Sequence, residues 1–116
     1  MELFDTTQLG LERAITGAEM RQSVLAANVA NANTPGYKPK DIDFHSALKA
    51  AFAGGSDPEH APITETESST QMRADGSGID IDVESSKLAA NGLEYQALVQ
   101  AAKGRLQIIE SAMGTR

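Results

Sequence analysis

LAANGLEYQALVQAAKGRLQIIESAM, residues 88–113, decides the fold of this 116-residue chain. Leu88, Gly92, Tyr95, Val99, Ala102, Leu106, Ile109 and Met113 alternate in steps of four and three without a break. That spacing keeps one face of an α-helix turned toward a partner helix. Leu98 and Ile108 widen the stripe. At 1.5 Å per residue, a helix over this stretch is about 39 Å long. Gly92 and Ala102 lie on the stripe and are small enough for a close backbone approach.

The partner lies at the other end of the chain. Phe4, Leu11, Ala18, Leu25 and Ala32 recur every seven residues, and Ile15 and Val29 follow members of that series by four. Gln8 and Gln22 fill the matching positions as polar interruptions. This predicts a helix from about Thr7 to Ala32 with a coiled-coil seam. Glycine inside a helix costs about 1 kcal/mol relative to alanine, so Gly10, Gly17, Gly92 and Gly104 make both helices dependent on a partner.

Between them, Asp43 as N-cap, the apolar face of Phe44, Leu48, Ala51 and Phe52, and a stop at Gly54 predict a short third helix. Ile79, Ile81 and Val83 alternate with Asp80, Asp82 and Glu84, which predicts a brief extended approach to the last helix. The acids then favour that helix's positive start. Half of the 26 residues from Ala53 to Gly78 are Gly, Pro, Ser or Thr, with too little periodic apolar content to repay ordering. The expected organisation is mainly α. Long N- and C-terminal helices pair as an antiparallel coiled coil, with a short third helix and a flexible polar middle. Its parts are 1–52, an acidic connector at 53–78 and a C-terminal helix at 79–116, together one axial helical domain.

Composition narrows the function. Leu, Ile, Val and Phe number 23, against 18 alanines, so a deep independent core is not expected. The net charge of −6 argues against nucleic acid, because phosphate binding needs a basic face. That charge is concentrated: residues 53–84 hold Arg73 against eight acids. No cysteine is present, which excludes disulfides and thiolate chemistry. The start carries Glu2 and Asp5 and no apolar run, so no secretory signal is recognisable. No stretch approaches the roughly 20 apolar residues of a spanning helix.

Catalytic constellations are missing from the pattern. His45 and His60 have no Ser, Cys or paired carboxylate at triad or metal-ligand spacing. No phosphate-cradling glycine motif occurs. Laid on a calcium loop, residues 73–84 place Asp75, Ser77, Gly78 and Glu84 at ligand positions, but Arg73 puts a cation where the first carboxylate belongs. A polar turn leading into an acidic helix start explains the same residues. An enzyme, a cofactor and a metal are not expected.

ANVANANTPGYK, residues 27–38, carries the remaining signal. Thr34 before Pro35 is pushed toward an extended conformation. Pro35-Gly36 suits the centre of a type II turn that delivers Tyr37 in a new direction. Asn28, Asn31 and Asn33 can bond the last helical carbonyls or a neighbouring chain. The order Asn-x-Ala-Asn-x-Asn-Thr-Pro-Gly-Tyr resembles the N-terminal signature of the axial proteins of the bacterial flagellum, the rod and hook family. DIDFHSAL (41–48) and IDIDVESSKLAANGLEYQALVQAAKGRLQIIESAMG (79–114) are most similar to the proximal rod branch.

That resemblance implies a structural subunit that leaves the cell by the flagellar type III export route, without a cleaved signal. It would then self-assemble into a torque-bearing periplasmic rod around the export channel. The implied partners are copies of itself, rod proteins of the FlgC type, the adaptor FliE, and the membrane ring and export gate. The implied assembly interface comprises Leu11, Ile15, Ala18, Leu25 and Val29 against Tyr95, Val99, Leu106, Ile109 and Met113. The signature turn comprises Asn28, Asn31, Asn33, Thr34, Pro35, Gly36 and Tyr37. Rival readings are a different rod subunit of the FlgC type, a calcium-binding module and a free helical adaptor.

Overall fold

A computed structural model describes residues 5–55, 57–68 and 79–114. In chain order the elements are α1 (Thr6–Ala30), β1 (Lys40–Ile42), α2 (Phe44–Ala53), a 3-10 turn (Pro58–His60), β2 (Glu65–Glu67) and α3 (Ile81–Gly114). The molecule is mainly helical and elongated, 66 × 28 × 15 Å.

α1 starts where the Asp5 carboxylate accepts the Gln8 amide at 2.8 Å. It stops at Asn31, whose backbone and side-chain N–H groups both donate to the Ala27 carbonyl, at 3.0 and 2.9 Å. The expected turn follows: the Tyr37 amide donates to the Thr34 carbonyl at 3.2 Å, and Gly36 holds a φ of 78°. Only glycine takes that φ without strain. The redirected chain forms β1, which pairs antiparallel with β2 in the register Lys40–Glu67, Asp41–Thr66 and Ile42–Glu65.

α2 begins and ends where the sequence places it. Asp43 accepts from the Ser46 amide and hydroxyl, at 3.1 and 2.7 Å, and Gly54 caps the other end. Its face of Phe44, Leu48 and Ala51 is buried with Ala14, Ala18, Ile42 and Ala61 in the main apolar cluster. Tyr95 and Leu98 of α3 pack against the same cluster, so α1, α2, the small sheet and α3 share it.

Two expectations need correction. The alternation at 79–84 does not make an extended approach beyond Ile79, because Asp80 caps α3: its carboxylate accepts the Asp82 and Val83 amides at 3.0 and 3.4 Å. A capped start overrides a three-step alternation, and α3 runs 34 residues, about 51 Å. The connector expected over 53–78 is partly structured. Pro58 and Ala61 are buried, and Arg13 donates twice to the Ala61 carbonyl at 3.0 and 2.8 Å, fixing the 3-10 turn to α1. A few well-placed apolar contacts suffice there despite the polar composition. Residues 56 and 69–78 of that connector lie outside the described residues, as does Phe4 of the N-terminal seam.

Candidate assembly interface

Asn28 is wholly buried near the end of α1, and its amide joins three parts of the chain. Its Nδ2 donates to the Lys40 carbonyl at 2.6 Å and to Glu84 Oε2 of α3 at 2.9 Å. Its Oδ1 accepts the Lys40 amide at 3.0 Å and the Tyr37 hydroxyl at 3.1 Å. One side chain thus ties the helix end, the chain leaving the Pro35-Gly36 turn and the start of α3. Asn31 is half-buried and accepts the Thr34 hydroxyl at 3.2 Å. Asn33, Thr34, Pro35 and Gly36 are exposed and Tyr37 is half-buried. The signature therefore combines a buried anchor, Asn28, with an outward loop.

Beside it, Arg21 clamps Asp41 through two bonds of 2.7 and 3.1 Å, joining α1 to β1. Lys87 of α3 stands 3.7 Å from Asp41 and donates to Ser68 at 3.1 Å. Burial pushes the Asp41 carboxyl up, but the Arg21 and Ile42 hydrogen bonds and the charges of Arg21 and Lys87 outweigh it, so its pKa lies below the ordinary value. The Asp41 hydrogen bond in turn raises Arg21.

Further along, the contact between α1 and α3 is largely polar. Asn91 Nδ2 donates to the Ala18 carbonyl at 2.9 Å and to Gln22 Oε1 at 2.8 Å. The Tyr95 hydroxyl donates to Glu19 at 3.1 Å, a bond that raises the tyrosine pKa. Arg105 donates to Gln8 Oε1 at 3.2 Å and to both Asp5 oxygens at 3.0 and 2.8 Å. The partners' numbers fall along α1 as they rise along α3. Gln8, Glu84 and Asn91 are fully buried, and each keeps one polar atom without a hydrogen-bond partner among the described residues. Buried atoms of that kind cost about 1–3 kcal/mol each.

Among the interface residues expected from sequence, Ala18, Leu25 and Ile109 are buried, and Leu11, Ile15, Val29, Tyr95 and Val99 are half-buried. Leu106 and Met113 are 39% and 70% exposed. Glu84, Asn91 and Arg105 are the contact residues that apolar periodicity missed. Their own spacing, seven and fourteen residues, is the signal that finds them.

Other features offer less. Residues 73–78 of the calcium-loop alignment lie outside the described residues, while Glu84, its last ligand position, faces Asn28 inside the helix contact. Asp57, Glu59 and His60 cluster on the surface, where Asp57 caps the 3-10 turn by accepting the Glu59 amide at 3.0 Å. No helix among the described residues is long and apolar enough to cross a membrane.

Comparison with known proteins points one way. Residues 11–38, most of α1 and the turn, match the family described as Flagella basal body rod protein. Over 125 residues, 97% of each chain, the protein is 31% identical to the flagellar basal body rod protein FlgB of Bacillus subtilis. It is 35% identical to FlgB of Escherichia coli, covering 83% of this chain and 84% of that one. FlgB of Salmonella typhimurium is 32% identical, with 85% and 89% covered. The chain belongs to the FlgB family of flagellar basal body rod proteins.

Proposed function

We propose that this structural, non-enzymatic rod protein of the flagellar basal body is a self-assembling subunit of the proximal rod. As a member of the rod family it assembles with other basal body components. The subunits would carry torque through interlocked helices while enclosing the export channel. The observation that carries the reading is the contact of α1 with α3 along most of α1, anchored at one end by Asn28 and at the other by Arg105. Its order of contacts supports an antiparallel coiled coil, and with α2 and the turn it forms one axial helical domain.

In this reading the exposed Asn33–Gly36 loop and the apolar residues left exposed on α3 meet neighbouring subunits. Those neighbours are further copies, FlgC-type rod proteins and, at the membrane side, FliE with the ring and export gate. The rod lies in the periplasm and is reached by type III export. The test is mass spectrometry of purified, detergent-resistant hook–basal-body complexes. Several copies of this chain per complex are expected. Its absence from the complexes, with the protein recovered only in the soluble fraction, overturns the proposal.

A further inference from the structure

Most of the polar residues between α1 and α3 fall in one heptad frame, with Asn28 one residue before it. Gln8, Ile15, Gln22 and Val29 recur every seven residues on α1, and Glu84, Asn91, Leu98 and Arg105 do so on α3. The hydrogen bonds match these series in layers: Gln8 with Arg105, Gln22 with Asn91, and Asn28, beside Val29, with Glu84. Ile15 and Leu98 occupy the one layer between Gln8–Arg105 and Gln22–Asn91 that is apolar on both helices. Polar residues thus face polar ones in these three layers, and four of them, Gln8, Asn28, Glu84 and Asn91, are wholly buried.

We propose that these three layers set the register of the helix pair. A heptad repeat alone cannot do so, since a seven-residue slip restores the apolar seam. The polar layers break that degeneracy. Sliding α3 so that Asn91 takes Glu84's place beside Asn28 and Val29 brings Leu98 against Gln22 and Arg105 against Ile15, and carries Glu84 past the end of α1. Sliding it the other way puts Asn91 against Ile15, runs Arg105 off the start of α1, and leaves only Glu84 with a polar partner, Arg21. Either slip buries polar groups against aliphatic ones, which costs more than the native pairing. The buried atoms of Gln8, Glu84 and Asn91 that have no hydrogen-bond partner among the described residues are consistent with layers that select a register at some expense in stability. Lys87–Asp41 and His45–Glu94 also join α3 to β1 and α2, but these pairs are partly exposed and weaker discriminators.

This inference goes beyond the assembly reading and is tested on the isolated full chain, so its failure leaves rod membership untouched. The absence of native cysteine allows spin labels at Ser23→Cys and Gln100→Cys, both exposed, for pulsed electron–electron distance measurement. One heptad of slip changes the axial offset by about 10 Å. The otherwise unmodified chain should give a single narrow distance. Replacing Gln22→Leu with Asn91→Leu, or Gln8→Leu with Arg105→Leu, should retain helix by circular dichroism and add a second, displaced distance. Lys87→Ala with His45→Ala should keep the single one. A single unchanged distance in both layer variants overturns the proposal, as does a second distance in the Lys87–His45 variant alone. Loss of helix in both layer variants overturns it too, because the layers would then hold the pair together without selecting its register. A broad distribution in the otherwise unmodified chain has the same force.

Discussion

Gly17 and Phe44 are in direct contact: a Cβ on Gly17 would stand 2.6 Å from both Cβ and Cγ of Phe44. Phe44 is 1% exposed and opens α2, so the missing methyl is what lets α2 lie against α1. Gly17→Ala gains about 1 kcal/mol of helix propensity, but the overlap falls on the root of a buried ring and costs about 1–3 kcal/mol. Gly10 is the control. There the close atom is Phe52 Cζ, the tip of a ring that is 48% exposed and can swing aside. Chemical denaturation should show Gly17→Ala destabilised and Gly10→Ala neutral or stabilised by up to about 1 kcal/mol. Equal effects at the two positions would contradict the assignment.

Asn28→Ala removes four hydrogen bonds at once, strands the Lys40 amide and leaves the buried Glu84 carboxylate to its 4.0 Å ion pair with Lys87. A buried carboxylate deprived of its hydrogen-bond donor is the costly part, and the expected loss is about 1–3 kcal/mol. Adding Glu84→Gln to Asn28→Ala should recover part of that loss, since a neutral amide is cheaper to leave unpaired. Amide exchange at Lys40 should rise in Asn28→Ala. Protected exchange and unchanged stability would show that the turn is held by something other than Asn28.

Much of this arrangement was legible before the fold was known. The four–three spacing marks α3, and the capping pair Asp43 and Gly54 brackets α2, because helix signals are local. Asn28 was legible as part of a turn signature, but not its partner, which lies 56 residues away. Composition misread residues 57–68: their order comes from Pro58, Ala61 and an Arg13 bond across 48 residues. Three-residue strands carry too little sequence for a period of two to register. Gly10 and Gly17, which look like weaknesses of a helix, are seats for aromatic rings.

Acid should weaken the fold in a defined window. The carboxyl groups of Asp5, Asp41 and Asp43 all lie below the ordinary 3.8. For Asp5 the Gln8 amide is the main cause, with Arg105 assisting against burial, and for Asp43 it is Ser46. As pH falls, the unfolded chain takes up these protons first, so the stabilisation is complete above the unfolded values and lost as pH drops through the folded ones. The melting temperature should be flat from about pH 7 to 5 and fall below about pH 4. Asp5→Asn, Asp41→Asn and Asp43→Asn together should lower the plateau and make the acid limb shallower. An acid limb of unchanged slope in that triple variant would assign it to other carboxylates.

Ile108 and Ile109 are adjacent on α3 but differ in exposure, 70% against 7%. Ile109 is already covered within the chain, so Ile109→Asp places a charge at a buried position and should cost folding stability and, with it, rod assembly. Ile108 is uncovered in the single chain, like Leu93 at 69% and Met113 at 70%. Within a packed rod these side chains would gain neighbours, and a charge there would be desolvated only on assembly. Ile108→Asp should therefore leave the melting temperature of the isolated chain within about 2–4 °C, the effect of a surface substitution worth about 0.5 kcal/mol. It should still abolish incorporation into hook–basal-body complexes and motility. Normal incorporation of Ile108→Asp would show that this face stays in water after assembly. Normal incorporation of Ile109→Asp would instead refute the pairing of the two long helices as the basis of the rod.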